Sequence, residues 1–293
     1  MTNPLREHLR LSAIEVKRIV LRKHFLLVIA AMFVLSYDRI FWHRGQGDPA
    51  GLYGLAATSR MISGMDGLVA GISSAAALAV DTEAGFVGLV LSRNVRRRDY
   101  ILYKAVATIA VAALATLIRY LWLMGMGAIV LPWDVPGLSG CLVEAIEPTG
   151  QINCSIPLPN TLARAPGPFP ALFLSHPVLN DVILIVLTAL GTGVFALLGL
   201  LVAACRGNTY LAIAVPSILP FAIPMVVPDQ DLHHWLDPTH VLCVRGDYFC
   251  MLPGLEYRLG IWFAYWLGLA IVLIGLSIFV AEKRELALKE HGA

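Results

Sequence analysis

Residues 178–205 read VLNDVILIVLTALGTGVFALLGLLVAAC, and after Asp181 no charged side chain interrupts the run. A helix needs about 20 apolar residues to cross the hydrocarbon of a bilayer, and this run exceeds that. The helix of a soluble protein would show a polar stripe at helical spacing, and none is present. Five more apolar stretches occur, near His24–Trp42, Met61–Val80, Ala105–Leu131, Tyr210–Val227 and Leu259–Ala281. The first is interrupted towards its end by Asp38 and Arg39. Composition agrees: 58% of the 293 residues are hydrophobic and 14% charged, where soluble domains carry about 45–50% and 25%. The net charge of +2 is too mild for a nucleic-acid binder. The fold expected is an all-α membrane protein with six transmembrane helices.

Orientation follows from the excess of Lys and Arg on the cytoplasmic side of membrane proteins. With both termini inside, 15 Lys and Arg fall in cytoplasmic segments and 7 elsewhere. Both termini are therefore expected in the cytoplasm. The first span begins only after 23 residues, with no small-residue cleavage site behind it, so it reads as a signal anchor. Residues 1–23 form their own unit, an amphipathic helix lying in the headgroup plane, and 24–293 the six-span domain. Leu5, Leu9, Ala13, Val16 and Val20 make one stripe of the helix, with Arg6, Arg10, Lys17, Arg18 and Arg22 mostly off it.

Two long segments are external in this topology. Residues 132–177 are Pro-rich, and 228–258 contain HHWLDPTHVL, which leaves room for short helices that dip back into the outer leaflet before the last span. Cys141 and Cys154 lie in the first, Cys243 and Cys250 in the second, on the side where disulfides persist. Four cysteines allow three connectivities; local pairs, Cys141–Cys154 and Cys243–Cys250, are favoured over bridges between the loops. The spacing of His233, His234 and His240 fits no strong metal pattern, so no metal is expected.

The longest cytoplasmic segment, 81–104, reads DTEAGFVGLVLSRNVRRRDYILYK. An acidic start (Asp81, Glu83) is followed by Gly85, an apolar run Phe86–Leu91, Ser92-Arg93, the cluster Arg96, Arg97 and Arg98, and a lysine, Lys104, opening the third span. This order resembles the cytoplasmic loop of permeases of type-2 (type V) ABC exporters: Glu-x-Gly, an apolar stretch, Leu-Ser-Arg, an Arg and a Lys. Phe86 stands where a Thr is common in that family, and Asn94 where a Pro is frequent. The likeness extends in layout to the whole chain, but only this loop carries motif residues.

The resemblance implies a permease working with two ABC ATPase subunits and a second permease, identical or related, in a plasma membrane such as the bacterial inner membrane. The 81–104 segment would then be a coupling loop seated in the ATPase, through Glu83, Gly85, Ser92, Arg93, Arg96, Arg97 and Arg98. ATP and Mg would sit on the partner subunit. No cofactor is expected in this chain, which lacks even a Gly-Lys dipeptide and so any P-loop. The chain is thus expected to be no enzyme. Its substrate would be hydrophobic or amphipathic: a lipid, a peptide or a drug-like molecule. A non-transporting immunity or sensor scaffold is the alternative. A membrane-embedded enzyme fits less well, because no catalytic pair stands within the spans.

Ionisable groups at membrane depth point to function by default. Asp38, Asp66 and Arg119 each lie 14 or 15 residues from a cytoplasmic span end, about 22 Å along a helix. Three readings are open for Arg119: a structural ion pair with either carboxylate, a polar patch on the export path, or snorkelling to the outer headgroups. Pro216, Pro220 and Pro224 recur every four residues of the fifth span. Each removes a main-chain donor, which marks a hinge, a gate or a fixed kink. Gly191, Gly193 and Gly199 in the fourth span, and Gly260, Gly268 and Gly275 in the sixth, suit close helix packing. Trp262, Tyr265 and Trp266 suit an interfacial aromatic belt.

Overall fold

The computed structural model describes residues 4–23, 25, 26, 29, 30, 33, 34, 64–85, 87, 96–130, 176–226 and 259–290. Among them all regular structure is helical. The elements are α1 (Pro4–Val20), α2 (Gly64–Ser74), a π-helical turn (Ala75–Ala79), α3 (Val80–Glu83), α4 (Arg97–Val130), α5 (Pro177–Phe195), α6 (Leu197–Arg206), α7 (Thr209–Val226) and α8 (Leu259–Glu290). Three helical stretches are long and apolar enough to cross a bilayer: Arg97–Met126, Val182–Arg206 and Trp262–Lys283. That build points to a membrane protein. Thr209–Leu219 is a shorter apolar helix of the same character.

Local chemistry explains where the helices start and stop. Pro177 opens α5 at a position where its missing N–H is no loss. Ala196 keeps helical angles between α5 and α6, so the two run on as one rod. Gly207, at φ 65°, ends α6 in the left-handed conformation and donates its N–H to Ala203 at 2.7 Å. Asn208 then starts α7 by accepting the N–H of Leu211 on its side chain at 3.0 Å. The rod of α2, the π turn and α3 is continuous, and the extra residue of the π turn falls in the alanine-rich run Ala75–Ala79, where only Leu78 carries a large side chain. α4 begins at Arg97, earlier than the Ala105 start expected for the third span.

α2 is the hub. It packs on α7, α4, α6 and α5, and the closest approach is to α7. A Cβ added at Gly67 would lie 2.5 Å from the Pro216 carbonyl oxygen, and one at Gly71 2.5 Å from that of Ile213. Gly67-x-x-x-Gly71 is therefore a groove for the α7 backbone. Gly193 in α5 meets Ile109 of α4 in the same way, and Gly199 in α6 meets Ala212 of α7.

Gly260, Gly268 and Gly275 behave differently from the packing expectation. Among the described residues nothing lies within 4 Å of an added Cβ at any of them. They stand on the side of α8 away from the bundle, near exposed Ile271, Val272 and Phe279. The other side of α8 carries the bulk: Trp262 and Trp266 are buried at 2% and 3% exposure rather than spread in a surface belt. Large apolar rings gain most from contact with the bundle.

α1 is also turned from its expected stripe. Ala13 is exposed and Val16 and Val20 are only half-buried, while Ser12, Glu15 and Ile19 are covered. Leu5 and Leu9 have no described side-chain placement. The turn brings Glu15 against α4, whereas Leu11, Ile14 and Leu21 stay exposed beside Arg10 and Lys17. An outer face of mixed apolar and basic residues suits a helix at a bilayer surface.

Candidate functional site

Six side chains converge where α1, α3 and the start of α4 meet: Glu15, Arg18, Arg22, Asp81, Tyr100 and Lys104. Lys104 is fully buried, and its Nζ lies 2.6 Å from Asp81 and 2.8 Å from Glu15. Arg18 bonds Asp81 and, at 2.8 Å, Glu15. Arg22 reaches the other Asp81 oxygen at 3.3 Å, and the Tyr100 hydroxyl donates to Asp81 at 3.4 Å. The Lys104 ammonium also lies over the Tyr100 ring, 5.2 Å from its centre. A lysine this deep requires both carboxylates, because an unpaired buried charge is very costly.

Asp81 and Arg18 are both held in their charged forms. Burial alone would push the Asp81 carboxyl up, but the Arg18 hydrogen bond and the Lys104 charge outweigh it and hold it below the ordinary carboxylate value. Burial likewise works against the Arg18 charge, and the Asp81 bond with the Glu15 charge overcomes it, raising Arg18 above its usual value.

Sequence reasoning placed Asp81 and Lys104 at the two ends of one loop without pairing them, and it missed Glu15. A glutamate on an amphipathic helix is normally read as solvent-facing. The available signal was its spacing from Arg18 and Arg22, three and seven residues on, which puts all three on one helix face.

Next to the cluster α3 ends at Glu83. Its Oε1 accepts the backbone N–H of Thr209 at 2.7 Å. Ala84 and Gly85 form an exposed turn, with Gly85 at φ 68° and, among the described residues, nothing within 4 Å of an added Cβ. A left-handed φ favours glycine there by conformation, not by crowding. Arg97 donates to the Ala281 carbonyl at 3.0 Å, tying α4 to α8, whereas Arg96 and Arg98 are exposed. Ser92 and Arg93 lie outside the described residues.

At the far end of the α2–α4 contact Arg119 bonds Asp66, and the Tyr120 hydroxyl donates to the second Asp66 oxygen at 3.3 Å. Asp66 is fully buried and Arg119 is 5% exposed. Asp38, the other expected partner, lies outside the described residues.

The prolines of α7 have a specific counterpart. Pro216 lacks the N–H that would bond the Ala212 carbonyl, and Pro220 lacks the one for Pro216. Those two freed carbonyls are the ones that face Gly199 and Gly67. Glycine Cα–H groups point at them, which offers weak Cα–H···O contacts in place of the missing ladder bonds. Pro216 is buried in this contact. α7 runs on as helix through Pro220 and Pro224.

Cys141, Cys154, Cys243 and Cys250 lie outside the described residues, and Cys205 is free and exposed. Among the described residues no group of His, Cys, Asp and Glu could hold a metal. Comparison of the chain with protein-family models and with curated protein sequences gives no match.

Proposed function

We propose that the chain is the permease subunit of an ATP-driven ABC exporter. It crosses a plasma membrane six times with both termini cytoplasmic and moves a hydrophobic or amphipathic substrate outward. A second permease completes the pathway, and two ATPase subunits supply ATP hydrolysis. The observation that supports this most directly is the Asp81–Lys104 bond of 2.6 Å. These residues bound the 81–104 segment, so both roots of the segment are fastened to each other and, through Glu15 and Arg18, to α1. A docking loop transmits a push only if its roots cannot splay apart. The exposed Ala84-Gly85 turn and the exposed Arg96 and Arg98 leave a polar, basic surface for an ATPase groove.

The test is purification of the chain from its native membrane, followed by reconstitution with any ABC ATPase that accompanies it. Equal numbers of the two subunits should co-purify, and ATP hydrolysis should require the ATPase and be stimulated by the permease. Hydrolysis by this chain alone, or failure of any ABC ATPase to assemble with it, would overturn the assignment.

A further inference from the structure

Glu83 caps a helix from a distance. Thr209 is the first residue of α7, and its N–H is one of those that no residue inside the helix can satisfy. The usual acceptor at a helix N-terminus is the side chain of the residue just before the helix. That residue, Asn208, is already engaged with the N–H of Leu211. The Thr209 N–H is instead taken by Glu83, 126 residues away in sequence. A carboxylate is well suited to this end of a helix, where the peptide dipoles leave partial positive charge.

The contact is the lowest of three along one side of α7. Thr209 meets Glu83, Ile213 lies on Gly71 and Pro216 lies on Gly67. Positions 209, 213 and 216 are spaced four and three apart, which is one helix face. The first half of α7 is therefore fixed to the α2–α3 rod from end to end.

We infer that Glu83 is a positioning residue that clamps α7 to the root of the 84–96 segment, so that a displacement of that segment is delivered to α7. Its carboxylate is committed inside the chain, and ATPase docking falls to Gly85, Arg96 and Arg98. This rests on the exporter reading for its consequence, but the clamp itself is a property of the single chain.

The first measurement uses the purified full chain in lipid nanodiscs with no ATPase present. Amide hydrogen exchange is followed by mass spectrometry in peptides covering 209–215. Glu83→Ala should exchange about five- to tenfold faster, the size of a lost helix cap. Glu83→Gln, which keeps the acceptor oxygen, should stay close to the unaltered chain. Asn208→Ala, which removes the local cap of the same helix, sets the scale. Exchange in Glu83→Ala equal to that of the unaltered chain would overturn the clamp, as would Glu83→Gln exchanging as fast as Glu83→Ala.

The second measurement uses the assembled complex. Glu83→Ala should bind the ATPase normally and lose substrate stimulation. Loss of ATPase binding with unchanged 209–215 exchange would show that the carboxylate docks on the partner, which sinks the clamp and leaves the exporter reading standing. Failure of the exporter reading leaves the first measurement unaffected.

Discussion

Asp66 and Arg119 are each worth little without the other. Asp66 is fully buried, and among the described residues it has only the Arg119 guanidinium and the Tyr120 hydroxyl to compensate its charge. Arg119→Leu should therefore destabilise the purified chain by about 3–5 kcal/mol, the usual cost of orphaning a buried charge. Replacing both, Asp66→Leu with Arg119→Leu, should recover most of that loss, because the desolvation cost disappears with the charges. Thermal unfolding in one detergent compares the three; a double variant as weak as the single one would mean the pair does more than neutralise itself. Depth along the spans was legible from residue counting alone, since it put Asp66 and Arg119 at one level. The six-residue cluster was not, because Glu15 and Lys104 stand 89 residues apart and only the turn of α1 about its own axis brings them together.

At the scale of elements, helix existence followed from apolar length, while helix faces did not. Apolar runs say that a segment is helical, but a run that is apolar all round carries no mark of its packed side. α8 illustrates the gap: its glycines suggested an interface, and its tryptophans took the bundle side instead. Gly67 and Gly71 escaped notice for the opposite reason, since their meaning depends on prolines in a distant helix. The two sets of glycines can be separated by substitution. Gly67→Ala and Gly71→Ala push a methyl group into α7 backbone that cannot yield, and each should cost about 1–3 kcal/mol, as overpacking does. Gly268→Ala and Gly275→Ala meet open space within the chain and should change stability by less than about 0.5 kcal/mol. Equal effects from both pairs in a thermal-shift series would refute the α2–α7 groove.

For the whole molecule, the connection that matters runs from the 84–96 segment into the bundle. Gly85 lets it be broken without touching charge. Its φ of 68° strains any residue with a Cβ, asparagine least. Gly85→Leu should insert and fold and lose substrate-stimulated hydrolysis, whereas Gly85→Asn should retain it. Normal transport by the Leu variant would mean that the turn is ordinary connecting chain. The α2 hub also dictates an order of events while the chain is being made. Asp66 waits 53 residues for Arg119, but the cap at Glu83 waits 126 residues for Thr209. The charged side of α2 is thus satisfied early, by the very next long helix. Its glycine groove stays bare until α7 has been synthesised, so the nascent protein passes through a stage in which α2 and α4 are already paired and the place for α7 is still empty.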